Sequence, residues 1–160
     1  MTNSHNVCLV QPAGVEEWLR ARLLVEAYGA SLGVDLSFQD FDHEVEHLES
    51  EYGPPSGGFL LAQRDGAYLG CVGVRRFTAD TAEMKRLYVA PAGRGAGIGR
   101  RLAEGAIHVA RSMGYKRLVL DTLPSMNEAR TLYRTMGFTE TSAYRFNPVE
   151  GTAFLEMRLD

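Results

Sequence analysis

Residues 83–99 carry the sequence Glu83-Met84-Lys85-Arg86-Leu87-Tyr88-Val89-Ala90-Pro91-Ala92-Gly93-Arg94-Gly95-Ala96-Gly97-Ile98-Gly99. The part before Pro91 belongs to a predicted strand at residues 82–90, and the part after it holds four glycines in seven residues. Glycine adopts positive φ without strain and lets the backbone approach a ligand closely. A helix is predicted at residues 97–113, and its first N–H groups and the positive end of its dipole face the loop. Strand, loop and helix together predict a cradle for a phosphate group.

Three other interpretations of the glycine loop compete with a phosphate cradle. A Walker loop would end in Gly-Lys-Ser/Thr, which this loop lacks. A dinucleotide fingerprint needs glycines at its first, third and sixth positions, and no register of the loop supplies them. A turn without a ligand would place glycines where each weakens the helix start by up to about 1 kcal/mol. We therefore favour the phosphate cradle.

The rest of the chain alternates between strand and helix patterns. Strands are predicted at residues 7–10, 58–63, 67–76, 117–121, 139–146 and 152–159, and helices at residues 15–32, 41–52 and 126–136. No internal repeat or long linker divides the sequence. We expect one α/β (α+β) domain over residues 1–160, in which a mixed, mostly antiparallel sheet of about seven strands carries helices on both faces.

Length and composition restrict the class of protein. A chain of 160 residues with 45% hydrophobic and 23% charged residues is typical of one soluble globular domain. Its formal net charge of −3 provides no basic field for nucleic acid. No stretch approaches the ~20 apolar residues that cross a bilayer, and the N-terminal residues do not resemble a signal peptide. We expect a cytoplasmic protein with no nucleic-acid or membrane partner, in which Cys8 and Cys71 are buried free thiols.

The glycine loop is the first of several motifs that share one family pattern. The segment Arg94-Gly95-Ala96-Gly97-Ile98-Gly99 fits the signature Arg/Gln-x-x-Gly-x-Gly/Ala and follows a strand that ends in Val-x-Pro. The pattern continues to Asn127, Tyr133 and the pair Gly137-Phe138. This combination resembles the GNAT superfamily of N-acetyltransferases. Blocks at residues 83–89, 120–124 and 144–148 are similar to a bacterial group of that superfamily whose substrates are unassigned.

The resemblance implies a single GNAT-type domain that uses acetyl-CoA as co-substrate and no metal. The backbone amides of residues 94–100 would hold the CoA pyrophosphate, and Leu87 and Val89 would pair with the pantetheine amides as an added strand does. The residues that the resemblance assigns to acetyl-CoA are Leu87, Tyr88, Val89, Arg94, Gly95, Ala96, Gly97, Ile98, Gly99, Arg100, Asn127 and Tyr133. The ribose phosphate would be reached by Arg100, Arg101, Arg130 or Arg134, unless these are ordinary solvated arginines.

Acetyl transfer to an amine requires that the amine first lose a proton. An alkylammonium group has a pKa near 10.4, so freeing its lone pair at pH 7 costs about 4.6 kcal/mol. A carboxylate in or near the site can take the proton, directly or through water. The resemblance assigns this role to Glu83, because some GNAT enzymes carry a glutamate at the same offset from the loop. The other interpretation of Glu83 is a strand-start carboxylate paired with Lys85 or Arg86.

The departing thiolate and the thioester oxygen each need a hydrogen-bond donor. A tyrosine phenol, with a pKa near 10, suits protonation of a thiolate, and the resemblance places Tyr133 at the sulfur. Its helix is announced by a capping-box pattern at residues 125–128. Simple core packing is the other interpretation of Tyr133. For the oxygen, the resemblance implies a backbone N–H of Leu87 or Val89, freed where two central parallel strands part.

Residues 43–47 fit the helical zinc-protease pattern His-Glu-x-x-His. A catalytic zinc ion needs a third protein ligand as well as His43 and His47. The extended pattern requires glycine at position 50 and histidine at position 53, where this chain has Ser50 and Gly53. We therefore expect no metal site in this segment.

The sequence defines the acceptor less sharply than the acetyl donor. The acidic stretch at residues 35–51 would attract a cationic amine, whereas Arg75, Arg76, Lys85 and Arg145 would seat a carboxylate, and both sets are compatible with ordinary surface charge. We favour a small-molecule amine over a protein acceptor, attacked directly in a ternary complex. The alternative function is a module that binds acyl-CoA without turnover, as a sensor. The resemblance leaves homodimer formation open.

Overall fold

The computed structural model describes residues 6–160, which form a seven-stranded sheet with helices on both faces. The strands are β1 (Cys8–Val10), β2 (Gly58–Arg64), β3 (Ala67–Arg76), β4 (Thr81–Val89), β5 (Arg117–Thr122), β6 (Thr139–Glu140) and β7 (Ala153–Arg158). Their order across the sheet is β1-β2-β3-β4-β5-β7-β6. The central pair β4 and β5 is parallel, and the other neighbouring strands are antiparallel. The predicted fold class is confirmed.

The helices divide between the two faces of the sheet. They are α1 (Val15–Leu32), α2 (Phe41–Glu46), α3 (Leu48–Tyr52), α4 (Ile98–Ser112) and α5 (Asn127–Thr135), with 3-10 turns at Ser37–Gln39 and Pro91–Gly93. Successive residues of a strand point to opposite faces. Leu60 of β2 accordingly packs in the cluster that includes α4, whereas Leu61 packs in the cluster formed with α1, α2 and α3. Among residues 6–160, no helix has the length and apolar character needed to cross a membrane.

The predicted helix at residues 41–52 is interrupted at His47, where φ is −127° and ψ is 34°. The His47 ring Nδ1 lies 2.9 Å from the His43 carbonyl oxygen, which would otherwise accept a helical hydrogen bond from the His47 N–H. That N–H instead donates to the Glu44 carbonyl at 3.1 Å. The side chain thus competes with the helix ladder and divides the segment into α2 and α3.

The predicted strand at residues 139–146 is wrong over most of its length, since β6 comprises only Thr139–Glu140. After the Thr141 N–H donates to the Phe154 carbonyl at 2.8 Å, the chain leaves the sheet. Tyr144 and Arg145 then donate hydrogen bonds of 2.7 Å each to the buried carboxylate of Glu83. These charge-assisted bonds hold the segment as a loop over the sheet.

Two smaller predictions are also wrong. The capping box at residues 125–128 is absent, because Met126 occupies the N-cap of α5 and makes no side-chain capping hydrogen bond. Cys71 is buried as expected, but Cys8 is exposed on the edge strand β1, and both are free thiols.

A bulge in β4 shapes the centre of the sheet. The register between β3 and β4 shifts between Cys71 and Gly73, and Arg86 adopts a left-handed φ of 62°. A bulge bends its strand and increases the local twist. β4 and β5 pair only from Thr81 with Arg117 to Glu83 with Val119. Beyond Glu83 the two parallel strands therefore part.

Candidate active site

A cleft opens where β4 and β5 part. It encloses about 510 Å³, including space open to solvent. One wall comes from α1 and the 3-10 turn before α2, and the other comes from α5. The polar residues that line the cleft are Tyr28, Gln39, Lys85, Arg86, Asp121, Thr122, Tyr133 and Asn147. The cleft thus joins both faces of the sheet at the carboxyl ends of its central strands.

The glycine loop leaves backbone N–H groups free at the start of α4. The first hydrogen bond of this helix runs from the Arg101 N–H to the Gly97 carbonyl at 3.2 Å, and Gly97 makes no side-chain cap. The N–H groups of residues 98–100 therefore have no partner within the helix. Gly95 and Gly97 have φ values of 84° and 73°, and no atom of the described part of the chain lies within 4 Å of a Cβ built on either residue. This open arc of donors at the positive end of α4 fits a pyrophosphate.

The other loop residues have different surroundings. Gly93 is buried, and a Cβ on it would lie 3.1 Å from Leu69 Cβ and from Ile98 Cδ1. The Ile98 side chain is itself buried in the core, so only its backbone faces the loop. Ala96 is exposed, and Gly99 is half-buried.

The outer part of β4 has an edge without a strand partner from β5. Leu87 lines the cleft, and both Leu87 and Val89 pack beside the α4 cluster. Arg94 Nε donates to the Val89 carbonyl at 3.2 Å, which fixes the turn from β4 into the loop. Tyr88 points to the opposite face, where its ring packs edge-on against Tyr28 at 6.3 Å.

Tyr133 of α5 lines the cleft from the α4 side of the sheet. Its side chain is buried and packs edge-on against the Phe138 ring at 5.6 Å. The hydroxyl makes no hydrogen bond to any residue from 6 to 160. Burial raises the pKa of Tyr133, and the nearby Tyr28 and Asp121 raise it further, so the phenol carries its proton at neutral pH. A protonated donor thus lies at the cleft.

The acetyltransferase (GNAT) family profile matches residues 17–138 of this chain. The chain belongs to the GNAT family. An uncharacterised N-acetyltransferase from Schizosaccharomyces pombe is 38% identical over 140 residues, covering 86% of each protein. N-acetylaspartate synthetase from Rattus norvegicus is 31% identical over 140 residues, which are 85% of this chain and 44% of that protein.

The fold comparison agrees with this assignment. An acetyltransferase from Salmonella typhimurium, solved with its cofactor acetyl-CoA, superposes with a TM-score of 0.68 at 20% identity. The alignment covers 97% of this chain and 95% of that one. The GNAT family contains acyl-CoA N-acyltransferases, and this protein is one of them.

In this GNAT enzyme, Glu83 lies beneath the cleft rather than in its lining. The side chain is fully buried, with 0% exposure. Its Oε1 accepts hydrogen bonds from Arg75 Nε at 3.2 Å and from an Arg145 guanidinium nitrogen at 2.7 Å, and its Oε2 accepts one from the Tyr144 hydroxyl at 2.7 Å. The charged partners of Glu83 are therefore Arg75 and Arg145 rather than Lys85 or Arg86.

Glu83 belongs to a larger set of paired charges, which we call the arginine cluster. Its members are Arg75, Arg86, Arg145, Glu44, Glu51 and Glu83. Arg86 Nε contacts Glu44 Oε2 at 2.7 Å, and its guanidinium lies over the Phe41 ring at 5.0 Å. Burial by itself would raise the pKa of Glu44, but the hydrogen bond and charge of Arg86 outweigh it and lower that pKa. The cluster ties the bulge of β4 to α2.

Two further charged residues, Lys85 and Asp121, line the cleft, and we call them the cleft pair. Lys85 Nζ donates to Gln39 Oε1 at 3.0 Å, and Asn147 Nδ2 donates to Asp121 Oδ2 at 3.2 Å. The sequence interpretation assigned no role to Asp121, Gln39 or Asn147. One signal was available for Asp121, because it follows the apolar run at residues 118–120 at the carboxyl end of a central strand.

The remaining predicted cofactor residues lie outside the cleft lining. Arg100 is exposed and pairs with Glu104 at 3.1 Å, and Asn127 is exposed at the first position of α5. Of the other arginines considered, Arg101 donates to the Val7 carbonyl, and Arg130 donates to the carbonyls of Thr122 and Gly151 at 2.8 and 2.6 Å. Arg134 pairs with Glu140 at 3.6 Å on the surface.

The histidines of the zinc-protease pattern contact each other. The rings of His43 and His47 stack with centroids 4.2 Å apart, across the break between α2 and α3. Within residues 6–160, no group of three or more histidine, cysteine, aspartate or glutamate side chains is arranged to hold a metal ion.

Proposed function

We propose that this GNAT protein transfers an acetyl group from acetyl-CoA to a primary amine of a small molecule, by direct attack in a ternary complex. One observation carries the proposal. Leu87, on the part of β4 that β5 leaves unpaired, and Tyr133, whose hydroxyl has no hydrogen-bond partner among residues 6–160, line the same cleft between the central strands. The same strand continues from Leu87 through Val89 into the open arc of loop amides. These are the elements needed to hold a long anionic thioester and present its acyl end to an amine.

The amides of residues 94–100 would bind the pyrophosphate, and the β4 edge at Leu87 and Val89 would pair with the pantetheine. Acetyl-CoA supplies the activated acyl group when bound. The Val89 carbonyl already accepts a hydrogen bond from Arg94 Nε, so pairing with the pantetheine would use other backbone groups of this stretch. A backbone N–H of the same stretch would stabilise charge on the thioester oxygen.

Direct attack agrees with the position of the cysteines. Cys71 is buried and its thiol donates to the Arg86 carbonyl at 3.3 Å, and Cys8 lies on the edge strand β1. Neither residue lines the cleft. A covalent acetyl-cysteine step therefore has no nucleophile in the cleft as described, and initial-rate kinetics should give intersecting lines in double-reciprocal plots.

Tyr133 would protonate the departing thiolate, since its hydroxyl lines the cleft and has no competing partner among residues 6–160. Glu83 would receive the amine proton through Tyr144. Both carboxylate oxygens of Glu83 already accept hydrogen bonds. A proton would therefore reach Glu83 most directly through the Tyr144 hydroxyl, which would pass its own proton to Glu83 and accept the proton of the amine. The buried carboxylate thus serves as the end of a short relay.

The relatives support a small acceptor. The name of the rat relative, N-acetylaspartate synthetase, describes the acetylated product of a small amine. The cleft encloses about 510 Å³ including space open to solvent, and it must hold the acceptor beside the acyl end of acetyl-CoA. A folded protein could reach the acyl group in the cleft only with an extended side chain.

The test is release of free CoA thiol from acetyl-CoA in the presence of a panel of small primary amines, beside calorimetric titration with CoA. We expect CoA binding and amine-dependent release. CoA binding without turnover of any amine would instead support the alternative function, a non-catalytic acyl-CoA module. Absence of CoA binding at millimolar ligand would contradict the proposal as a whole.

A further inference from the structure

The cleft pair consists of opposite charges at equivalent positions of two diverging strands. Glu83 and Val119 form the last pair of the β4–β5 ladder, and Lys85 and Asp121 each lie two residues beyond it. Side chains two residues apart point to the same face of a strand. Lys85 contacts Gln39 and Asp121 contacts Asn147, so both side chains face the α1–α3 side, across the sheet from α4.

Neither member of the cleft pair is neutralised. No carboxylate oxygen of residues 6–160 lies within 4.0 Å of Lys85 Nζ, and no cationic nitrogen of the same residues lies within that distance of the Asp121 carboxylate. Gln39 and Asn147 contribute neutral amides, which orient a charge without cancelling it. One of the three ammonium donors of Lys85 is used, which leaves two for a ligand.

The burial of Lys85 makes this unusual. The residue is 5% exposed, and a buried charge is normally paired because removing it from water is costly. The neighbouring cations Arg75, Arg86 and Arg145 follow that rule, since each contacts a glutamate. Among the residues that line the described cleft, Lys85 is therefore the buried cation without a carboxylate within 4.0 Å.

We propose that the acceptor amine also carries a carboxylate, which Lys85 binds, while Asp121 binds its ammonium group. The acceptor class is thus an amino acid, and this inference rests on the acetyl transfer proposed above. A carboxylate matches the site because, among the described residues of the cleft, Lys85 is the cation that no carboxylate engages, whereas the arginines contact Glu44, Glu51 and Glu83. The glycine loop lies beyond the end of β4, so the phosphates of CoA would not compete for Lys85.

The test compares amines that differ only in the carboxylate. The panel contains the standard α-amino acids, β-alanine and 4-aminobutyrate, each beside its carboxamide and its decarboxylated amine, with CoA release as the readout. We expect at least one amino acid to exceed its carboxamide in kcat/KM by about ten-fold or more, the effect of a charge-assisted pair. Equal rates for acids and amides, or a preference for diamines, would overturn the inference while leaving acetyl transfer intact.

Variants assign the two charges separately. Lys85→Met should remove the preference for carboxylates and leave the KM for acetyl-CoA unchanged, whereas Lys85→Arg should retain part of the preference. Lys116→Met is the matched control, because Lys116 is exposed on the surface. Asp121→Asn should lower kcat/KM for all amines, with or without a carboxylate. An unchanged acid-to-amide ratio in a folded Lys85→Met protein would exclude Lys85 as the carboxylate site.

Binding can be measured without turnover. In the presence of CoA, the preferred amino acid should raise the melting temperature of the wild type and not of Lys85→Met. If no amine is acetylated, the twenty α-amino acids are screened in this way. A failure of all of them to stabilise the CoA-bound wild type would overturn the amino-acid site, and loss of acetylation alone would count only against the proposed reaction.

Discussion

The arginine cluster and the cleft pair lie on the same side of the sheet and differ in how their charges are neutralised. In the cluster, every guanidinium contacts a carboxylate, and Arg86 is almost fully buried with Glu44 as its partner. In the cleft pair, Lys85 is about equally buried, but its ammonium group donates to the neutral amide of Gln39 and has no carboxylate within 4.0 Å among the described residues. Arg86 and Lys85 are therefore similarly buried, and they differ in whether a carboxylate neutralises them.

This difference separates structural charge from charge kept for a ligand. A neutralised cluster attracts a small ion only weakly, but it fixes the bulge of β4 and the loop that contains Tyr144 and Arg145. The bulge places Lys85 and Arg86 on the same face although they are adjacent in sequence, since both contact elements on the α1–α3 side. The arginine cluster thus fixes the shape of β4 that leaves the cleft pair facing the open space of the cleft.

The largest effect is expected for Glu44→Gln. This change leaves the buried guanidinium of Arg86 without its charged partner, and breaking a buried pair in this way costs about 3–5 kcal/mol of unfolding free energy. Urea denaturation measures it. Glu46→Gln is the control, because Glu46 lies on the same helix and is exposed. A loss no larger than that of the control would mean that the cluster does not hold β4 to α2.

Tyr133→Phe extends the comparison to an uncharged residue of the cleft, whose hydroxyl has no hydrogen-bond partner among residues 6–160. Removing a general acid typically lowers the rate about 100-fold or more, so we expect kcat to fall by at least that factor at unchanged stability. Tyr115→Phe is the control, since the Tyr115 hydroxyl donates to the Ser56 carbonyl at 2.6 Å and does not line the cleft. Unchanged turnover in Tyr133→Phe would remove Tyr133 from the mechanism.

Lys85→Met should make the protein more stable, by about 2 kcal/mol at pH 7, because it replaces an unpaired buried charge by an apolar chain of similar length. The same change should alter the pH dependence. Burial, the largest cause, and the charges of Arg86 and Arg75 together lower the pKa of Lys85 to about 8, against the opposing charges of Glu83 and Asp121.

Below pH 8 the lysine is charged in both states, and the cost of burying that charge is present in full. Between pH 8 and about pH 10.5, Lys85 has lost its proton in the folded protein and retains it in the unfolded chain. The stability of the wild type therefore rises with pH over this range. Thermal unfolding between pH 7 and about 10.5 should show the rise in the wild type and in Lys116→Met, and not in Lys85→Met. A rise of equal size in Lys85→Met would assign it to another group.

The sequence predicted the parts of this protein that depend on local pattern. Strand and helix periods located most elements, and the glycine loop was identified because Gly95 and Gly97 need left-handed φ values and free N–H groups. It could not predict the His47 break or the loop after β6. Both depend on contacts with distant or competing groups, such as the hydrogen bond from Tyr144 to Glu83, which lies 61 residues earlier.

The same limit applies to the site. The sequence identifies Lys85 as one of several cations. That no carboxylate of the described residues pairs with it depends on where the fold places Glu44, Glu51 and Glu83. Asp121 was missed although it follows an apolar run at the end of a central strand, because that single position does not show which other residues the fold brings beside it. Whether a charge is neutralised is a three-dimensional property, and this property distinguishes the cleft pair from the arginine cluster.

The smallest effect is expected for Arg100→Gln, which extends the comparison to an exposed pair. Arg100 and Glu104 are one helical turn apart, with side chains 52% and 55% exposed, and such pairs contribute at most about 0.5 kcal/mol. The KM for acetyl-CoA should change less than about two-fold, because the contact proposed for residue 100 is its backbone N–H, which the variant retains. Urea denaturation and initial rates measure both quantities. A ten-fold rise in KM would show instead that the Arg100 side chain leaves Glu104 to bind a phosphate of the acetyl donor. In that case a residue of an exposed ion pair would also take part in ligand binding.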